Sequence, residues 1–150
     1  MSEPVVLTRA QVESDETALA GLEADALVLT AEERRWGRRR VRTRGGRELH
    51  LALPTGSRLT PGDVVHVAPG WYVRVEAAAE PVLLVSPLSF ADTVRVAFEV
   101  GNRHFTLALA GDRVLVPDDP VMIHLLDRLG FSYEKTRAVF VPIGFGHRHE

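Results

Sequence analysis

Two helix start signals in the second half of the chain constrain its fold more than any other feature of the sequence. Ser89 is followed three residues later by Asp92, which approximates a capping box, and Asp119 precedes a proline at the first helical position. The spacing of apolar residues predicts one helix over residues 90 to 101 and a second helix that ends at Gly130. Because short apolar runs flank both helices, each helix is expected to connect two strands.

The flanking strands complete a recognisable order. An apolar run at residues 81 to 86 precedes the first helix, and an alternating segment at 105 to 109 follows it. Further strands are predicted at 114 to 116 and at 136 to 141. The order β-α-β-β-α-β is that of the ferredoxin-like fold, an antiparallel sheet with two helices on one face. We therefore predict an α+β ferredoxin-like domain over residues 80 to 144.

Each predicted helix carries an apolar side. Gly101 and Asn102 are expected to stop the first helix, because both residue types tolerate a left-handed backbone. One side of the first helix holds Phe90, Val94, Ala97, Phe98 and Gly101. The buried stripe predicted for the second helix is Val121, Leu125, Leu126 and Leu129.

The first half of the chain has the pattern of short strands. Strands are predicted at residues 26 to 30, 64 to 67 and 72 to 75, and a hairpin is predicted to turn at Gly45-Gly46. Proline and glycine separate the apolar runs. Residues 1 to 79 are therefore expected to form an all-β, short-stranded, β-sandwich-like domain, with residues 145 to 150 as a flexible histidine-containing tail.

Composition excludes several kinds of chemistry. The chain has no cysteine, which removes disulfides, thiolate metal sites and cysteine nucleophiles and leaves histidine and carboxylate as metal ligands. The nucleophile, phosphate-loop and metalloprotease motifs are missing, so an enzyme is not expected. With 18 basic and 20 acidic residues and no long apolar segment, neither nucleic acid nor a membrane is an expected partner, and the expected location is the cytoplasm.

An arginine cluster offers an alternative function. Eight arginines lie between residues 34 and 47, and strand alternation is expected to place four of them on one face: Arg38, Arg40, Arg42 and Arg44. With Trp36 beside it, such a face could bind a phosphate backbone or an acidic protein. Residues 1 to 79 hold equal numbers of acidic and basic side chains, 11 of each. A protein- or nucleic-acid-binding module with incidental histidines is therefore the alternative interpretation.

Three histidines are candidate metal ligands. His104 follows the predicted end of the first helix, and His147 and His149 form a pair in the glycine-flanked terminal segment "GFGHRHE". Imidazole suits nickel, copper, zinc and cobalt, but one imidazole does not hold a metal tightly. In a two-fold dimer whose axis passes beside His104, two copies of this side chain would meet. The other histidines are interpreted as structural or simply exposed: His50, His66 and His124.

The chain resembles the UreE family of urease accessory proteins along nearly its whole length. The segment "ERRWGRRRVRTRGGRELHLALPTGSRLTPGDVV" is similar to the arginine-rich strand and following turns of that family, and "HLLDRLGF" is similar to its second helix and stop. The motif "GNRH", residues 101 to 104, is the most specific point of the resemblance, and "GHRH" matches a short histidine-containing tail.

This resemblance implies a homodimeric nickel metallochaperone with His104 as the metal ligand on the dimer axis and His147 and His149 as further ligands. It implies a first half that contacts other proteins of urease maturation, with a UreG-like GTPase and the urease apoprotein complex as partners. Zn²⁺, Cu²⁺ or Co²⁺ are possible competitors for the site. Asp118 and Asp119 stand where some relatives carry further histidines, so a second metal site is not expected there.

Overall fold

A computed structural model describes residues 5 to 143 of the chain. The chain divides into two compact units, one ending at Ala78 and the other beginning at Ala79. None of the helices among residues 5 to 143 combines the length and the apolar character that crossing a membrane requires.

The first unit is built from two three-stranded sheets around one core. Its elements are β1 (Val5–Leu7), α1 (Glu16–Leu19), β2 (Glu23–Leu29), a 3₁₀ turn (Glu33–Arg35), β3 (Arg38–Arg42), β4 (Glu48–Ala52), β5 (Val64–Ala68) and β6 (Trp71–Ala77). The sheets have the orders β1-β4-β3 and β2-β6-β5. Leu49 and Leu51 of the first sheet and Val73 and Val75 of the second belong to the same buried cluster. The prediction of a strand-rich first half is confirmed.

One feature of this unit differs from the expected all-β arrangement. A one-turn helix, α1, begins after Asp15, whose carboxylate accepts a hydrogen bond from Ala18 N at 2.7 Å. Two strand pairs, β1 with β4 and β2 with β6, are parallel. By contrast, the predicted hairpin is present, since β3 and β4 are antiparallel and the turn contains Gly46 at φ 89°.

A buried carboxylate fastens that hairpin to β2. Asp25 accepts hydrogen bonds from the Thr43 hydroxyl at 2.6 Å, from Gly45 N at 2.9 Å and from Arg47 Nη1 at 2.8 Å. Burial opposes ionisation of Asp25, but the hydrogen bonds from Thr43, Arg47 and the backbone outweigh burial and hold its pKa at about 2. The two sheets of the first unit are thus joined by polar contacts as well as by the core.

The second unit has the predicted order of elements, strand, helix, strand, strand, helix, strand. They are β7 (Ala79–Val85), α2 (Phe90–Asn102), β8 (Ala108–Ala110), β9 (Arg113–Pro117), α3 (Pro120–Leu129) and β10 (Tyr133–Val139). The strands form one antiparallel sheet in the order β10-β7-β9-β8. Both predicted caps are present, because Ser89 accepts from Asp92 N at 3.1 Å and Asp119 from Val121 N at 2.8 Å.

The core of this unit lies between the sheet and both helices. α2 contributes Val96 and Val100 to a buried cluster that also contains strand residues such as Leu83 and Val116. α3 contributes Met122, Leu125 and Leu126. The predicted stripe of α3 was wrong at its first position, since Val121 is 49% exposed and Met122 is buried in its place. β8 also begins later than predicted, at Ala108, and the backbone N–H groups of residues 104 and 105 bond to the last turn of α2.

Candidate metal centre

His104 occupies a special backbone position at the end of α2. It adopts φ 63°, and it is the only non-glycine residue of the described chain with a positive φ. His104 N donates to Gly101 O at 3.0 Å, and Phe105 N donates to Val100 O at 3.2 Å. These two bonds form a Schellman motif in which His104 is the left-handed residue just beyond the helix.

The end of α3 provides an internal comparison. There Gly130 N donates to Asp127 O at 3.2 Å, and Phe131 N donates to Leu126 O at 3.0 Å. Gly130 has φ 77°, so the same motif closes both helices, with phenylalanine next in each case. His104 therefore stands where α3 has the residue type best suited to the conformation.

The predicted helix stop was therefore wrong in one respect. Gly101 and Asn102 lie in the last turn of α2, and neither of them takes the left-handed conformation. A side chain in that conformation costs about 1 kcal/mol or more relative to glycine, and such costs concentrate at functional sites. The left-handed backbone at His104 therefore makes this position a candidate functional site.

Replacing His104 by glycine is expected to stabilise the second unit by about 1 kcal/mol, because glycine relieves the left-handed strain. Gly130→Ala is the matched control and should lower stability by a similar amount, since a Cβ there meets no atom within 4 Å and only the backbone angle opposes it. Amide hydrogen exchange in α2 and α3 measures the free energy of opening of this unit. A loss of stability in His104→Gly would show that the imidazole has a structural role.

The helix α2, which ends two residues before His104, carries an exposed apolar surface. Phe90, Val94 and Phe98 follow each other at four-residue spacing and are 83%, 51% and 67% exposed. We call these three residues the α2 stripe. They lie on a different side of the helix from the buried Val96 and Val100, so these three residues of the predicted apolar side mark a surface, whereas Ala97 packs against the core. An unpartnered apolar surface of this kind is typical of a protein interface.

The described part of the chain does not complete a metal site around His104. Within residues 5 to 143, no three histidine, aspartate or glutamate side chains are grouped so that they could hold a metal ion. His104 is exposed. The other two predicted ligands, His147 and His149, lie outside the described residues. Residues 5 to 143 of one chain therefore do not by themselves group three metal-ligating side chains.

The remaining histidines have other surroundings. His50 lies 3.2 Å from a carboxylate oxygen of Glu48, and His66 packs against the Trp71 ring with 5.2 Å between ring centroids. Burial lowers the pKa of His66. His124 is exposed on α3. Asp119, at the position where a second metal site is not expected, accepts the N-cap hydrogen bond of α3 from Val121 N.

In the structure, three of the four arginines that were predicted to share a strand face do so. Arg38, Arg40 and Arg42 share one face of β3, because their partners on β4 alternate with the buried Leu49 and Leu51. Arg44 was wrongly placed with them, since it lies beyond the strand and its guanidinium pairs with Glu76. The predicted four-residue face therefore has three arginines.

Comparison with known proteins covers both units. The model of the UreE urease accessory protein N-terminal domain matches residues 7–78, and that of the C-terminal domain matches residues 80–150. A urease accessory protein UreE from Synechococcus sp. (strain JA-3-3Ab) is 36% identical over 130 residues, which are 86% of this chain and 87% of the relative.

Two longer relatives give the same result. UreE proteins from Ralstonia nicotianae (strain ATCC BAA-1114 / GMI1000) and Bordetella parapertussis (strain 12822 / ATCC BAA-587 / NCTC 13253) are 37% and 38% identical over 84% and 85% of this chain. The match spans 62% and 65% of the length of these relatives. The class is thus that of urease accessory proteins, which are not enzymes. The chain belongs to the UreE family, as its sequence motifs predicted.

Proposed function

We propose that this protein is a nickel metallochaperone that works as a homodimer. Two copies pack through the α2 stripe about a two-fold axis, and the axis brings both His104 side chains to one Ni²⁺. His147 and His149 supply further nitrogen ligands, and the ion is then passed by ligand exchange to the urease maturation machinery. Zn²⁺, Cu²⁺ and Co²⁺ compete for the same imidazoles in vitro.

The observation that carries this proposal is the left-handed His104 at the end of an exposed apolar helix side. The φ of 63° sets His104 apart at the end of α2, and the α2 stripe offers the contact that a second copy needs. A two-fold contact is self-complementary, so a residue beside the axis meets its own copy. Symmetry thereby supplies the ligands that residues 5 to 143 of one chain do not group together.

The choice of nickel and of partners rests on the family. A urease accessory protein acts in the assembly of urease, so the proposed recipients are a UreG-like GTPase and the urease apoprotein complex, and the proposed location is the cytoplasm. The sheet order β10-β7-β9-β8 with two intervening helices supports a ferredoxin-like fold for the metal-binding unit. A site completed between two exposed surfaces also favours release of the ion over storage.

Titration with Ni²⁺ should give about one tightly bound ion per two chains, because one shared site forms on each two-fold axis. Isothermal calorimetry measures the stoichiometry, and sedimentation equilibrium measures the mass of the species titrated. Removal of residues 146 to 150 is the informative variant, since it should weaken binding but leave the dimer intact. One tight ion on every chain would contradict the shared site, and monomers after the truncation would show that the terminal segment is structural.

A further inference from the structure

The arginine strand β3 forms the free edge of its sheet. β4 lies between β1 and β3, so β3 has a strand neighbour on one side only. Free edges display unpaired backbone groups that can bind another extended chain. Whether β3 is such a site depends on where its backbone groups and its side chains point.

The hydrogen-bond pattern shows which backbone groups of β3 face outward. At one end of the strand Gly37 O accepts from Leu53 N at 2.8 Å, and at the other Thr43 N donates to Arg47 O at 2.8 Å. In an antiparallel ladder alternate residues bond the neighbouring strand, and the residues between them point their N–H and C=O the other way. The residues between them on β3 are Arg38, Arg40 and Arg42.

Arg44, two residues beyond the end of the strand, confirms this direction. Arg44 N, the next outward amide in the series, donates to Ala26 O of β2 at 2.8 Å. Among the described residues, no backbone hydrogen bond reaches the outward groups of Arg38, Arg40 or Arg42. At one end of this edge the chain is hydrogen-bonded to β2. Along β3 itself, the outward N–H and C=O groups make no backbone hydrogen bond within the described residues.

The side chains of the same three arginines form a cationic face. Arg38, Arg40 and Arg42 are exposed and lie within 4 Å of no carboxylate oxygen among residues 5 to 143. Across the ladder, Glu48 is the acidic residue of this face, and it is held by His50 at 3.2 Å. The hydrogen bond from His50 lowers the pKa of Glu48, and the charges of the nearby arginines lower it further. Positive charge on this face is therefore in excess.

The outward backbone groups and the positive charge of β3 together favour one kind of binding partner. A second copy of the same strand would oppose arginine to arginine, which is unfavourable across a strand pair. A nucleic acid could use the charges but not the alternating backbone donors and acceptors. Cross-strand neighbours have Cβ atoms about 5 Å apart, and side chains on one face recur about every 6.8 Å along a strand. An extended segment with carboxylates at every second position can form backbone hydrogen bonds with β3 and can also pair its carboxylates with the three arginines.

We infer that β3 is a docking edge for an acidic β-strand of a partner protein, with carboxylates at alternate positions of that strand paired with Arg38, Arg40 and Arg42. Backbone hydrogen bonds along the edge supply part of the affinity, and the arginine spacing supplies the selection for acidic residues at alternate positions. This surface belongs to the first unit and does not depend on the metal site at His104.

The probe is a fluorescent peptide of roughly seven residues that alternates glutamate with valine, a length typical of a strand. Its control has the same composition with all glutamates in one block. With the full-length protein, the alternating peptide is expected to bind about tenfold more tightly than the block peptide, because the loss of a single charge-assisted pair accounts for a difference of that size. Methylation of the peptide amides on its pairing edge should abolish this difference.

Two protein variants locate the binding. Arg40→Glu should weaken binding of the alternating peptide at least about tenfold, whereas Arg113→Glu, an equal charge change at an exposed residue of β9, should leave it unchanged. Equal affinity for the two peptides, equal effects of the two variants, or no binding at all would show that the arginines only keep this edge solvated. Tighter binding of a uridine oligonucleotide than of the alternating peptide would also overturn the proposal.

Discussion

Substitution of His104 by asparagine is expected to lower the affinity for Ni²⁺ by about a hundredfold or more. A change in groups that merely orient metal ligands weakens binding by about 10- to 100-fold, and this substitution would remove two direct ligands from each proposed shared site. Asparagine is preferred to alanine here because it tolerates the left-handed backbone that His104 adopts at φ 63°. Calorimetric titration of the purified dimer measures the change.

His124→Asn is the matched control for that substitution. His124 is also an exposed histidine of the second unit, on α3, and its loss should leave the affinity for Ni²⁺ within about twofold. Equal and high affinity in His104→Asn and in the unsubstituted protein would exclude His104 as a ligand. A large effect in both variants would place the site elsewhere in the unit.

Substitution of Phe98 by aspartate is expected to dissociate the dimer and to remove the tight metal site with it. Burial of a phenylalanine contributes about 1.5–3 kcal/mol, and a two-fold interface contains the residue twice. The dissociation constant of the dimer should therefore rise by about a hundredfold or more. Sedimentation equilibrium measures the dissociation constant, and calorimetry measures the accompanying loss of Ni²⁺ affinity.

Because Phe98 is 67% exposed in the single chain, its substitution should leave the fold of the unit intact. Val67→Asp, a charge introduced at an exposed apolar residue of β5, is the control and should leave the dimer unchanged. If Phe98→Asp stays dimeric, the α2 stripe is not the interface. If Phe98→Asp becomes monomeric and still binds nickel tightly, the metal site does not need ligands from a second chain.

The helix starts were predictable from sequence because helix caps are local. Ser89 and Asp119 each accept a hydrogen bond from a residue two or three positions later, so the signal and its effect lie in one short segment. The β3–β4 hairpin was predictable for the same reason, through the Gly45-Gly46 turn. By contrast, the parallel pairing of β1 with β4 joins segments distant in sequence, and no local pattern encodes it.

The position of the helix stop shows why local preference was insufficient at the candidate site. Gly101 and Asn102 have the stronger intrinsic tendency toward a left-handed backbone. The helix nevertheless continues to Asn102, because Phe105 must return to the core beside Val100 to close the Schellman motif. That packing requirement places the left-handed residue at His104. The resemblance of the motif GNRH predicted a metal ligand at His104. Only the structure shows that the backbone of this residue is left-handed.

The apolar spacing on α2 was visible in the sequence, but its environment was not. Phe90, Val94 and Phe98 have the periodicity of a core-facing side, and Val96 and Val100 occupy the core instead. A helix with two apolar sides gives the same composition whether one side faces a partner or the interior. Only the packing against the sheet separates the two cases.

A crystal structure of the dimer grown with Ni²⁺ tests the shared site most directly. One ion is expected on the two-fold axis, coordinated by an imidazole nitrogen of His104 from each chain. An ion held by the side chains of a single chain, or two His104 rings on opposite sides of the dimer, would contradict the shared site.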